Sequence, residues 1–238
     1  MARRGYEELD ARDEFKANSS VRRIYDLSPF GVPWIPVVGR AACRRYVFPE
    51  APHVHKGCIE VIYCQSGSCE YESCGKRFVL KSGRIFVSRP DEPHRAIGNP
   101  KGYALCYFLF NANPGRTRRS GDDAVASDFA WMAQEFARLP RLLKGDRLTI
   151  TRFNRLFALA ETADLPAQAR RVRMRSVVLS LLLGILDATS LSLKGQVSRR
   201  IAKVAEEMKA HPEREYSLRD LARRLSLSQS ALLSGFKE

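Results

Sequence analysis

The sequence predicts an α+β chain with its β part first. Three observations carry the prediction. Up to about residue 115, short apolar runs alternate with turn signals. From Asp122 onward, apolar residues recur at helical spacing. The last stretch reads as two short capped helices across a tight break. The 238 residues, 45% of them hydrophobic, are enough for two packed domains and exclude a disordered chain.

In the β part, "EVIYCQ" is followed by "SG", "SCEYES" by "CGKR", "FVL" by "KSG", and "IFVS" by "RPDEP". "YALCYFLF" closes the series before "NANPG", and "WIPVVGRAACRRYVFP" supplies one or two strands upstream. Strands of about five residues joined by tight turns predict an all-β barrel or sandwich over residues 20–115.

The helices follow. "DDAVASDFAWMAQEFARL" sets Val125, Phe129, Met132 and Phe136 on one face, and "TITRFNRLFALAET" does the same with Ile150, Phe153, Leu156, Phe157 and Ala160. "QARRVRMRSVVLSLLLGILDATSL" predicts a longer helix with a wide apolar stripe, suited to core packing and to dimerisation. These make a helical linker or dimerisation segment over residues 122–192. A third block, 196–238, starts with the amphipathic "VSRRIAKVAEEMKAH", ended by Pro212. Ser217 is placed to cap "LRDLARRL", and Ser228 to cap "QSALLSGFK" after the break "SLS". That is a helix-turn-helix pattern.

The net charge of +14 points to a polyanionic partner, either nucleic acid or an anionic surface. The strongest apolar run, Val177–Leu186, is far short of the roughly 20 residues of a spanning helix. The basic start has no apolar core after it, which excludes a secretory signal and makes a cytoplasmic protein the expectation. The spacings of Cys43, Cys58, Cys64, Cys69, Cys74 and Cys106 are not of the CxxC type. They read as small apolar residues in strands, with a redox or thiolate-metal role as the alternative.

The last block resembles the first helix-turn-helix of AraC-type transcription regulators. Ile201, Val204, Met208, Ser217, Leu218, Leu221, Ala222, Leu225, Ser228, Leu232, Phe236 and Lys237 fall in that motif's register. The β part independently resembles the cupin-type sensing domain of the same family, through "HVH", Glu60, Gly67, "LKSG" and "RPDEPH". The resemblance implies a cupin-like β-barrel, a helical linker and a C-terminal helix-turn-helix. The family's DNA-binding unit joins two such motifs by a long helix, and this chain reaches Glu238 after the first, as a truncated unit would.

Double-stranded DNA is therefore the expected partner. Arg219, Arg223, Arg224 and Lys237 suit phosphates, and Ser228, Gln229, Ser230, Ala231, Leu233 and Ser234 fall where a reading helix meets the groove. Only Gln229 is a strong reader of base edges, so weakly specific, salt-sensitive binding is expected. Gly235 is expected to cost the second helix about 1 kcal/mol relative to alanine.

"PHVHKGCIE" carries the other candidate site. On a strand, residues two apart share a face, so His53 and His55 point together. Lys56-Gly57 breaks the strand and lets Glu60 approach from the next. By resemblance, His94 of "RPDEPH" completes the ligand set of metal-binding cupins, whose imidazoles and carboxylate suit Fe, Mn, Ni or Zn. "PDEPH" departs from the enzyme form of that motif and is similar to that of AraC-type sensors, where these positions line a pocket for a small polar effector such as a sugar. A purely structural cluster is the third possibility.

The expected function is a ligand-responsive, dimeric transcription regulator, not an enzyme, with no cofactor. Two alternatives stand beside it. One is a metal-dependent cupin enzyme with a helical appendage, its ion at His53, His55, Glu60 and His94. The other is a truncated, DNA-incompetent sensor that acts through dimerisation.

Overall fold

Period-two alternation organises the first half of the chain. The computed structural model describes residues 7–9, 18–43, 50–98, 101–111, 123–162 and 164–236. Among them run ten strands: β1 (Glu7–Leu9), β2 (Arg22–Asp26), β3 (Val37–Cys43), β4 (His53–His55), β5 (Cys58–Ser73), β6 (Lys76–Lys81), β7 (Arg84–Val87), β8 (His94–Gly98), β9 (Tyr103–Asn111) and β10 (Leu142–Lys144). The helices are α1 (Asp123–Arg138), α2 (Thr149–Glu161), α3 (Ala167–Ala210), α4 (Leu218–Leu225) and α5 (Gln229–Gly235). The chain forms two compact units, Met1–Leu186 and Asp187–Glu238.

The first unit is built around β5. Its first half lies between β7 and β9, and its second half pairs with β6 and β8. Beyond β9 come β3 and β2; beyond β8 come β4 and β1. Alternate residues of β5 serve two cores. Cys58, Ile62 and Cys64 pack with Phe86, Leu105, Tyr107 and Leu109. Ile59, Val61 and Tyr63 pack with Phe108 and Phe110, and beyond them with Phe129 and Phe136 of α1, Phe153 and Phe157 of α2, and Met174, Val178 and Leu182 of α3. Glu60 has the parity of the first set, which turns a carboxylate toward the interior between the sheet layers.

The sequence reading places a turn between "EVIYCQ" and "SCEYES", but β5 runs through both. The chain bends there instead of reversing. Pairing with β9 shifts register between Cys64 and Ser66, and Gly67 has φ +71°. A Cβ on Gly67 would stand 2.4 Å from the Gly102 carbonyl oxygen. The expected turn at Cys74-Gly75 does form, with φ 48° and 73°, as a primed hairpin turn requires. Opposite Gly39 on β3 lies Tyr107, whose ring fills the space that any side chain there would need.

α1 and α2 bury most of the predicted stripes, Phe129, Met132 and Phe136, then Phe153, Leu156 and Phe157, while Ile150 and Ala160 are half-buried and the side chain of Val125 lies outside the described residues. α3 is a single helix of 44 residues, where the sequence reading places a break between residues 192 and 196. The stretch holds no proline, and Gly195 alone costs only about 1 kcal/mol, too little to end a long helix. Before residue 187, Met174, Val177, Val178, Leu181, Leu182 and Ile185 face the core, while Val172, Leu179 and Leu183 stay exposed.

The second unit has its own core. Ile201 and Val204 of α3 meet Leu221, Ala222 and Leu225 of α4 and Leu232 of α5. Ser217 caps α4 by accepting the Asp220 N–H, and Ser228 caps α5 by accepting the Ala231 N–H at 3.1 Å. Ser226, at φ 54°, turns the chain between them. Gly235 is the last residue of α5, so its cost is smaller than the mid-helix value expected from the sequence.

Of the cysteines, all but Cys74 are buried. Burial pushes the Cys64 thiol up to about 11 and the Cys106 thiol up to about 12, which keeps both protonated and suits them to a packing role. No helix among the described residues is long and apolar enough to cross a membrane.

Candidate functional site

Three strands bring the four predicted ligands together. β4 carries His53 and His55, β5 carries Glu60, and β8 presents His94 directly opposite His53. Gly57, at φ +64°, makes the turn from β4 to β5, and its N–H donates to the Asp91 carboxylate at 2.9 Å. The ring centroids lie 4.7 Å (His53–His94), 5.0 Å (His53–His55) and 5.2 Å (His55–His94) apart. His55, Glu60 and His94 are buried.

The ring orientations follow from hydrogen bonding. The Nδ1 atoms of His53 and His94 sit 3.0 and 2.7 Å from the carbonyl oxygens of Ala51 and Glu92. A carbonyl only accepts, so both Nδ1 atoms carry protons and both rings present Nε2 for other partners. His94 Nε2 stands 2.9 Å from Glu60 Oε2.

Charge is distributed unevenly. Burial alone would raise the Glu60 carboxyl, but the His94 hydrogen bond and the charges of His55, His94 and His53 outweigh it and hold it down to about 2. Burial works against a charged His94, yet its bond to Glu60 and the Glu60 charge leave it raised. His55 goes the other way: burial dominates and pushes it down to about 4. His94 and Glu60, 2.9 Å apart, each favour the charged form of the other. The 3.9 Å approach of His55 to the same oxygen is a dipolar contact at neutral pH.

A second layer fixes the site. Ser88 Oγ accepts the Glu60 N–H at 2.8 Å. Buried Glu92, two residues before His94, accepts from Ser73 Oγ (2.7 Å) and from the Arg89 N–H (2.9 Å), and pairs with Arg141. Arg89 in turn donates to the carbonyls of Phe136 and Leu139, at the end of α1. The loop that delivers His94 is therefore clamped to α1 and to the segment after it.

The site opens onto a cavity of about 20 Å³. Its wall includes His53, Glu60 and His94, and also Arg22, Glu50, Tyr71 and Tyr107. That is room for an ion or a water molecule, whereas organic ligands fill pockets of roughly 300 Å³ or more. The sequence reading missed these four wall residues and Glu92. Tyr107 shares the inward parity of Leu105 and Leu109, and Tyr71 that of Cys69, so alternation could have found both. Arg22 and Glu50 carry no such signal.

The residues expected at DNA lie elsewhere. Arg219, Gln229, Ser230, Ala231, Leu233 and Ser234 are exposed on α4 and α5, and Ser228 is exposed at the cap. Arg223 pairs with Asp220 at 2.8 Å. Arg224 forks onto both carboxylate oxygens of Glu207 on α3, so its guanidinium is already engaged. Lys237 lies outside the described residues.

Comparison with known proteins bears on the β-sheet domain. Residues 35–145 match the AraC-like ligand binding domain model. No curated protein matches the chain. Solved structures similar to it include YhaK from Escherichia coli (14% identity over 34% of this chain and 38% of that chain, TM-score 0.30). A cupin 2 conserved barrel domain protein from Salinispora arenicola is similar too (18%, over 42% and 86%, TM-score 0.34). So is the DMSP lyase DddQ from Ruegeria pomeroyi (12%, over 35% and 40%, TM-score 0.29). The chain spans well under half the length of YhaK and of DddQ. Likenesses this partial say nothing about activity. Residues 35–145 are an AraC-like ligand-binding domain with a cupin-like β-sheet, followed by helices in a mixed α+β chain.

Proposed function

We propose that the protein is a ligand-responsive, DNA-binding transcription regulator. The order of parts carries this reading: an AraC-like ligand-binding domain lies upstream of a small helical unit with two serine-capped helices and exposed arginines. In this reading the barrel, 20–115, senses the effector, 122–192 links and dimerises, and 196–238 contacts DNA. α5 is the reading helix and Gln229 its main base contact. Arg219 and Arg223 meet phosphates, while Arg224 braces α4 against α3. Val172, Leu179 and Leu183, spaced seven and four apart on the exposed side of α3, suit a seam with a second copy. An effector can shift the regulator only by its differential affinity for two arrangements.

The test is fluorescence anisotropy of the full chain with DNA from upstream of its own gene, against scrambled DNA, over a salt series. Preference for the upstream DNA supports the reading. No binding at low salt sinks it and leaves the DNA-incompetent sensor, and equal binding to both DNAs refutes sequence preference.

A second reading, a metal-dependent cupin protein, is favoured by one observation: His53 and His94 each commit Nδ1 to a backbone carbonyl, as metal-binding imidazoles do. The donor set fits. One ligand atom from each of His53, His55 and His94 falls within a common 4.8 Å, and a tetrahedral ion needs them about 3.4 Å apart, a modest ring rotation away. His53, His55, Glu60 and His94 would hold a divalent ion, which would supply Lewis acidity to an oxygen of the effector or substrate. Metal analysis of protein purified without chelator decides the matter. A stoichiometric ion that His53→Ala removes supports this reading, and its absence after loading with Zn, Mn or Fe refutes it.

A further inference from the structure

Resting on the reading of the barrel as a ligand sensor, we infer that its effector is a small organic carboxylate, and that Arg22 is the residue that reads it. Arg22 belongs to β2, upstream of the segment that matches the ligand-binding domain. β2 pairs with β3 and sets Arg22 opposite Ala41, another residue of the cavity wall. The guanidinium lies over the Tyr107 ring, 5.8 Å from its centroid.

Arg22 is paired with Glu50 at 2.5 Å. Both side chains line the cavity, yet they keep 28% and 31% of their surface exposed. They therefore form its solvent-facing rim, with buried His94 and Glu60 on the inner side. A partly exposed ion pair is weak, so exchanging one carboxylate for another costs little. A guanidinium binds a carboxylate through two parallel hydrogen bonds, a geometry it cannot repeat with a neutral hydroxyl.

Charge balance selects the same class. The Arg22 guanidinium is matched by the Glu50 carboxylate. A monoanion that takes the place of the Glu50 side chain on Arg22 preserves that balance, and displacing Glu50 enlarges a cavity that otherwise holds only an ion or a water. A neutral sugar would break the pair without replacing its charge. His94, and His53 beside it, would accept from, or donate to, a hydroxyl or oxo group next to the carboxylate. The chemistry fitted is a 2-hydroxy or 2-oxo monocarboxylate.

The two rim residues should act in opposite directions, which a merely structural ion pair would not do. The full chain is titrated by calorimetry with lactate and pyruvate, with their uncharged counterparts 1,2-propanediol and hydroxyacetone, and with xylose. Circular dichroism melts confirm that each variant folds. The expected result is binding of lactate or pyruvate but not of the uncharged probes, weakened at least tenfold in Arg22→Gln and tightened several-fold in Glu50→Gln. Loss of carboxylate affinity in both variants, or no change in Arg22→Gln, overturns the assignment. Xylose or propanediol binding that depends on His53 would refute the carboxylate class while leaving the sensor reading intact. Binding of no probe to the wild type refutes the class as stated.

Discussion

Replacing Glu92 tests how the structure holds His94. Glu92 is 8% exposed, and its partners include Ser73 Oγ, the Arg89 N–H and the Arg141 guanidinium. Removing one partner of a fully buried ion pair costs about 3–5 kcal/mol, because the other charge is stranded. Arg141 keeps 30% of its side-chain surface, so water recovers part of that cost. We expect Glu92→Ala to cost about 2–3 kcal/mol, and Glu92→Gln about half as much, since the amide still accepts from Ser73. In a unit of this size that is a fall in Tm of about 5–10 °C. Both tryptophans, Trp34 and Trp131, lie in the first unit, so their fluorescence in a denaturant titration reports that unit alone. Arg141→Met completes a double-mutant cycle, with an expected coupling of about 1–2 kcal/mol. Additivity within about 0.3 kcal/mol would refute the clamp.

Other expectations follow from the site geometry and, for the dimer and DNA, from the proposed function. Without metal, stability should fall as the pH drops from 6.5 toward 4, because the unfolded chain takes a proton that buried His55 refuses. It should fall further between 4.5 and 2 as Glu60 protonates, while the raised His94 contributes stability that is lost as pH rises through its folded value. Melts from pH 3 to 8 in chelator check this, and a Glu60→Gln variant that keeps the acid limb would contradict it. Gly67→Ala forces a side chain to φ +71° and against the Gly102 carbonyl, and should cost about 2–4 kcal/mol in the same titration. Leu179→Glu with Leu183→Glu should convert a dimer to monomer in sedimentation velocity without unfolding it, since both side chains are exposed. Arg219→Ala should weaken all DNA about equally and reduce the slope of log K against log salt by about one. A change confined to one sequence would remove Arg219 from the phosphate set.

Much of the barrel was legible because alternation is a strong signal. The parity of Cys58, Ile62 and Cys64 places Glu60 inside, and the two-residue spacing of His53 and His55 puts their rings on one face. His94 was reached only through the resemblance of "RPDEPH", since nothing local pairs it with residue 53. What was not legible depended on distance in the chain. Arg22 meets Glu50 across 28 residues, and Glu92 meets Arg141 across a helix. The missed continuity of β5 and α3 has a common cause. Serine and glycine mark turns on average, but a single glycine inside a well-packed strand or long helix is overruled by the hydrogen bonds on either side.

The double service of β5 also has a consequence for how the chain reaches this fold. Its first seven residues, "CIEVIYC", are all buried, and their neighbours on both sides come from later in the chain. β6 can close on the far half of β5 through a local hairpin, but the near half waits for β9, some forty residues on. Until β9 docks, an uncovered apolar strand with free edges is open to pairing with another chain, and Glu60 is its only charge. The same run that sets the carboxylate among the histidines is thus a segment open to aggregation during synthesis, and lower growth temperature or chaperone supply should raise how much of the protein is recovered folded.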